Sequence, residues 1–125
     1  MQYEEFITAV ADRSGLPRED AENLVHATLR VLAERLSGGE AEDLKAQMPK
    51  QLQVDLIPPQ EEAQSDGADE FARRVAQRSG MSEADAGAGV IAVLATIREA
   101  VTPGEFDDVL AQLGKEFAEL VEGTS

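Results

Sequence analysis

Cysteine is absent from this chain of 125 residues, and so is tryptophan; aromatics are limited to one tyrosine and four phenylalanines. Without thiols, disulfides, thiolate zinc sites, iron–sulfur clusters and cysteine nucleophiles are all excluded. Basic residues are scarce too: 11 lysines and arginines stand against 25 aspartates and glutamates, a formal charge of -14 at pH 7. Such a surface repels phosphate backbones and anionic headgroups, so nucleic acid and membrane are disfavoured as partners, while basic proteins and cations suit it electrostatically. No apolar run approaches the roughly 18–20 residues that span a bilayer. Met1-Gln2-Tyr3-Glu4-Glu5 lacks the basic start of a secretory signal, so a cytoplasmic protein is expected. The 42% of hydrophobic residues still supplies material for a packed core.

What is present is a pattern written twice. Tyr3 to Leu56 aligns without a gap on Ala68 to Val121, with about a third of the positions identical. Phe6 and Val10 match Phe71 and Val75 as an apolar stripe on a first helix, and Arg13-Ser14-Gly15 and Arg78-Ser79-Gly80 end that helix. A long second helix opens at Pro17 or at the Ser82–Asp85 capping pattern. Its shared face runs Ala21/Ala86, Val25/Val90, Leu29/Leu94, Leu32/Ile97 and Leu36/Val101, at steps of four and three. Gly87 and Gly89 fall early in the second copy and predict either close helix packing or local weakness. Ser37-Gly38-Gly39 and Thr102-Pro103-Gly104 break the chain before a short third helix bearing Leu44 and Met48, or Val109 and Leu113. A last helix follows with Leu52 and Leu56, or Phe117, Leu120 and Val121. Strand signals are missing. The expected fold is therefore all-α: two tandem pseudo-symmetric repeats of three to four helices, 1–57 and 68–125, joined by a linker at 58–67 and packed as one domain.

Candidate sites are few. His26 is the only histidine, with no nucleophile or second ligand beside it in sequence and Ile91 in its place in the second copy, so a structural role is expected and no catalytic residue is assigned. The acidic triplets Glu40, Glu42, Asp43 and Glu105, Asp107, Asp108 recur in register. They form a possible partner-facing patch or hard-cation site, yet they lack calcium-loop spacing and suit the first turn of a helix, where the dipole favours carboxylates. Gln47 and Gln112, like Lys50 and Lys115, are matched; they are either solvated helix residues, the favoured reading, or residues that recognise something between the halves. Arg73-Arg74 is a basic spot expected to be offset by Asp69 and Glu70. No metal or cofactor site is assigned.

The run Glu5-Phe6, Val10-Ala11, Arg13-Ser14-Gly15-Leu16, Asp20-Ala21, Leu36-Ser37-Gly38-Gly39-Glu40 and Gln47-Met48-Pro49-Lys50 resembles a bacterial family, domain of unknown function 2267. The second half resembles it through Phe71, Arg78-Ser79-Gly80, Asp85-Ala86, Gly104-Glu105 and Ala111-Gln112-Leu113. The resemblance covers nearly the whole chain and brings no activity with it. The first helix, the Ser-Gly-Leu turn and the Asp-Ala start of the long helix are also similar to the N-terminal helix pair of HU-type histone-like proteins. In that family the pair builds the dimer body while basic β-arms grip DNA. The likeness implies a helical dimerisation body fused into one chain, without an arm, because after Gly39 the sequence passes to another acidic helical segment. The functional expectation is a non-catalytic, acidic protein-interaction or regulatory module. It would engage a protein partner or a second copy of itself, through the acidic faces or through an apolar seam that includes Ile7, Leu24, Val31 and Leu110. The alternatives are an HU-related nucleic-acid-associated protein and a carboxylate-based cation binder.

Overall fold

Helix ends in this protein are set by residues that leave the helical backbone no choice. Tyr3–Ser14 (α1) stops at Gly15 and Ala68–Ser79 (α5) stops at Gly80. Both glycines are left-handed, at φ 75 and 76, a conformation that a Cβ disfavours. Each closes its helix through an amide donating four residues back, Gly15 to the Ala11 carbonyl and Gly80 to the Ala76 carbonyl. The structure, a computed structural model, describes residues 1–57 and 67–123. Among these are eight α-helices and no strand. After α1 come Arg18–Arg35 (α2), Gly38–Gln47 (α3) and Lys50–Gln53 (α4); after α5 come Glu83–Ala100 (α6), Pro103–Leu113 (α7) and Lys115–Glu122 (α8). Of the segment expected to act as a linker, only Gly67 lies within the described residues, where it caps α5.

The remaining helix starts are capped as their sequences dictate. Hydroxyls of Ser37, Ser82 and Thr102 each accept from the backbone N–H three residues on, at Glu40, Asp85 and Glu105, satisfying an orphan donor. Gly38, Gly39 and Gly104 belong to the first turns of α3 and α7 rather than to loops. The break between the last two helices is made by different chemistry in each half. Pro49 precedes α4 with φ -52, and Gly114 precedes α8 with φ 106. The last elements differ accordingly: α4 is a single turn, with Leu56 buried beyond its end, whereas α8 has eight residues.

One hydrophobic cluster draws residues from all eight helices. α1 packs on α2 and also on α6; α5 packs on α6 and also on α2. The two long helices touch each other, and α3 meets α7. Each short first helix therefore bridges both long ones. This arrangement corrects the expectation of an exposed apolar seam. Ile7, Leu24 and Val31, which fall off the shared helix face, are fully buried, and only Leu110 of that set is half-exposed. A half of about 55 residues has little interior of its own, and Leu24 is spent on the junction between halves, against Gly89.

The junction shows what Gly89 is for. A Cβ there would lie 2.7 Å from both terminal methyls of Leu24, which is fully buried. Leu24 and Gly89 stand 65 positions apart, so corresponding residues of the two long helices meet as knob and hole. Gly87 has nothing within 4 Å of the Cβ it lacks, and its role is different.

Polar contacts across the junction are also paired. Arg13 forms an ion pair with Glu99 and donates to Thr96 Oγ1 at 2.7 Å, while Arg78 reaches Glu34 at 2.6 Å. Arg74 adds a contact to Glu34 at 3.7 Å. Arg73 is held by Glu70 and lies 3.6 Å from Glu83, so Glu70, rather than Asp69, offsets the basic spot on α5.

Candidate functional site

The first place where chemistry gathers is the meeting of α3 and α7. In a capping box the third helical residue's carboxylate turns back to the N-cap amide. Here a glutamine from the other half takes that amide: Gln112 Oε1 accepts from Ser37 N–H at 2.7 Å, and Gln47 Oε1 accepts from Thr102 N–H at 2.8 Å. Gln112 also donates to Ser37 Oγ at 3.0 Å. Of the two readings open for Gln47 and Gln112, the favoured one, solvation, gives way to recognition between the halves, because each caps its counterpart's helix. Lys50 and Lys115 are exposed, and Lys115 lies 3.8 Å from Glu119 on its own helix.

Relieved of capping, Glu40 and Glu105 turn inward. They are 9% and 8% exposed, and each leaves one buried oxygen, Glu40 Oε1 and Glu105 Oε2, without a hydrogen-bond partner among the described residues. A ligand oxygen of Asp108 lies within 4.8 Å of theirs. Burial, then the hydrogen bond and charge of Glu105, then Asp108 and Asp43, push the Glu40 carboxyl up to about 8. Of the six acids singled out in the sequence, Glu42, Asp43, Asp107 and Asp108 face solvent, and Glu40 and Glu105 face each other.

The second place lies on the first half. Glu22, His26 and Arg30 recur every fourth residue on α2 and form one polar stripe. His26 Nδ1 is hydrogen-bonded to Asp55 Oδ2, and Arg30 Nε donates to Asp55 Oδ1 at 2.9 Å. The Asp55 side chain is fully buried, so its charge is matched on both oxygens. Tyr3 OH donates to Glu22 Oε2 at 2.6 Å and lies 3.4 Å from His26 Nε2. Arg18 bridges Glu4 and Glu22. Burial and the adjacent Glu22 push the Tyr3 phenol up to about 12, so it acts as a hydrogen-bond donor and not as a phenolate. The stripe staples the start of α1 and the residue beyond α4 onto α2. His26 thus has partners that sequence proximity did not show, although the four-residue spacing of Glu22, His26 and Arg30 was a visible signal.

The third place occupies the corresponding position on the second half, where every member of the staple is replaced. Tyr3, Glu22, His26 and Asp55 correspond to Ala68, Gly87, Ile91 and Leu120. Ile7 and Leu52 correspond to Ala72 and Phe117. The result is a cleft of about 180 Å³ lined by these six residues, with Val90 at its base and Asp69 at its lip. Leu120, expected to be core, is 36% exposed at its edge. Gly87 keeps the cleft open, because any side chain there would project into free space.

An all-α domain with a polar staple on one flank and an apolar cleft on the other is the class that the fold defines. The family described as "Uncharacterized conserved protein (DUF2267)" matches residues 3–120, and the chain belongs to that family. No curated protein is similar enough to match it. Among the described residues, no single helix is long and apolar enough to cross a membrane.

Proposed function

We propose that this protein is a non-catalytic cytoplasmic interaction module built from two fused, approximately symmetric helical halves. Its second half takes a basic amphipathic segment of another protein, with a bulky apolar side chain seated in the cleft between α5, α6 and α8. The cleft carries this reading: on this flank Tyr3, Ile7 and Glu22 of the first half are replaced by Ala68, Ala72 and Gly87. Charge complementarity selects the partner. The chain is at -14, Asp69 stands at the lip, and α8 exposes Glu116, Glu119 and Glu122 beside Leu120. Such helix-in-groove docking sets apolar anchors in the groove and cations on the acidic rim. Six of the eleven basic side chains, Arg13, Arg18, Arg30, Arg73, Arg74 and Arg78, sit in ion pairs with the protein's own carboxylates. That disfavours the HU-type alternative.

The test uses a synthetic amphipathic lysine–leucine helix as probe, followed by amide chemical shifts in the labelled full chain. Perturbations should centre on Ala68, Ile91 and Leu120, weaken with added salt, and vanish in Gly87→Leu, which fills the cleft. Shifts that ignore the cleft, or that persist unchanged in Gly87→Leu, would remove the reading. A dimer in light scattering that Gly87→Leu dissociates would seat a second copy there instead, and would equally overturn a heterologous partner.

A further inference from the structure

We propose that Glu40, Glu105 and Asp108 form a site for a hard divalent cation, calcium above all, which ties α3 to α7. Three carboxylates converge from two helices, with ligand oxygens all within 4.8 Å of one another. Two of the three side chains are more than nine-tenths buried, and Glu40 Oε1 and Glu105 Oε2 have no hydrogen-bond partner among the described residues. A buried acceptor without a donor is destabilising, and two carboxyls held together out of water favour either a shared proton or a cation between them. The glutamine caps from the opposite half take the N-cap amides of Ser37 and Thr102, which Glu40 and Glu105 would serve in a capping box.

The donor set chooses the ion. Oxygen ligands without imidazole or thiolate select calcium, magnesium or manganese over zinc or copper. Calcium–oxygen bonds of about 2.4 Å place opposed ligands nearly 5 Å apart and tolerate irregular geometry, whereas magnesium at about 2.1 Å requires a tighter octahedron. Asp108 is exposed, so the outer face can admit the waters that complete the shell. Three ionised carboxylates around one divalent ion would leave the site with a single net negative charge, any proton held between Glu40 and Glu105 being displaced by the ion. Because Glu40 comes from the first half and Glu105 and Asp108 from the second, the ion would act as a clasp between them. This inference is independent of the cleft.

Calorimetric titration of the chelator-stripped full chain with calcium chloride and with magnesium chloride is the experiment, paired with thermal unfolding. One saturable calcium site per chain and a rise in Tm are expected, with at least tenfold weaker affinity for magnesium. Glu105→Gln and Asp108→Asn should each weaken calcium binding at least tenfold. Glu105→Gln removes a like charge, so it should fold, as circular dichroism will verify. The exposed pair Glu42→Gln and Asp107→Asn should leave binding intact. No saturable heat with either ion up to several millimolar would overturn the proposal. So would calcium binding that survives both Glu105→Gln and Asp108→Asn, which would be diffuse condensation on an acidic surface.

Discussion

The two long helices present the same stripe with opposite content. On α2, Glu22, His26 and Arg30 hold Tyr3 and Asp55 in a hydrogen-bonded staple; on α6, Gly87, Ile91 and Ala95 hold nothing polar and leave a cleft. Elsewhere the halves agree where the junction needs them to agree. Arg13 and Arg78 cross to Glu99 and Glu34, and Gln47 and Gln112 exchange caps. The pairs that bind the halves together are thus alike in both, and the flanks that the junction does not use differ. Once one flank is sealed by its own side chains, the other is free to open for something else. The junction also holds an asymmetry that identical halves could not make, Leu24 seated against Gly89.

The largest effect should come from breaking that asymmetry. Leu24→Ala removes a fully buried side chain and is expected to destabilise by about 2–5 kcal/mol in chemical denaturation. The sharper reading lies in the cycle with Gly89→Ala. In the Leu24→Ala background the new methyl has space and should stabilise α6 by up to about 1 kcal/mol through helix propensity, whereas against intact Leu24 the crowding should cancel or reverse that gain. Strict additivity of the two changes would show that the knob and the hole do not communicate.

Next comes the pair that the halves kept identical, Glu40 and Glu105. The folded Glu40 carboxyl holds its proton to about 8, against an ordinary value of 4.5. The folded chain thus binds more protons than the unfolded one between these limits. Its contribution is fully present at the acid end of the window and is lost as pH rises toward 8. Stability measured in chelator should fall across that window, and Glu40→Gln should flatten the profile. A wild-type profile that is level or rising there would contradict the buried acidic pair.

Smaller still is the staple. Tyr3→Phe deletes the donor to Glu22 and should destabilise by about 0.5–1.5 kcal/mol. Because this is the only tyrosine and there is no tryptophan, the phenolate absorbance can be titrated without interference. The midpoint should lie near 12 and move down in Glu22→Gln. An ordinary tyrosine midpoint near 10 in the wild type would mean that the staple is open in solution.

The smallest change probes the flank that opened. Gly87→Ala adds helix propensity without meeting any atom, so a gain of up to about 1 kcal/mol is expected. Its unfolding midpoint should rise while affinity for the lysine–leucine probe falls modestly. Loss of stability at this position would mean that Gly87 is packed rather than lining open space.

Helix placement was legible because it is local. Apolar periodicity, Gly15 and Gly80 as closers, and serine or threonine three residues before an acid depend on neighbours a turn away. The destination of side chains was not. Ile7, Leu24 and Val31 lie off the shared face and resembled a surplus seam, yet packing buries all three, Leu24 against Gly89 of the second half. Gln47 and Gln112 resembled solvent-facing residues because their partners, the amides of Thr102 and Ser37, lie 55 and 75 positions away. Asp55, buried between Arg30 and His26, carried no sequence signal at all, since a carboxylate beyond a helix end is ordinarily exposed.

From the order of residues alone came an all-helical chain, its acidity and the chemistries that a lack of cysteine forbids, because each follows from composition or from contacts within a turn. Tertiary packing alone decided that two glutamates would face each other out of water, that one flank would close and the other open, and that a glycine would receive a leucine. Those outcomes depend on which surfaces meet across the junction, and burial acts on distances in space that no spacing along the chain records.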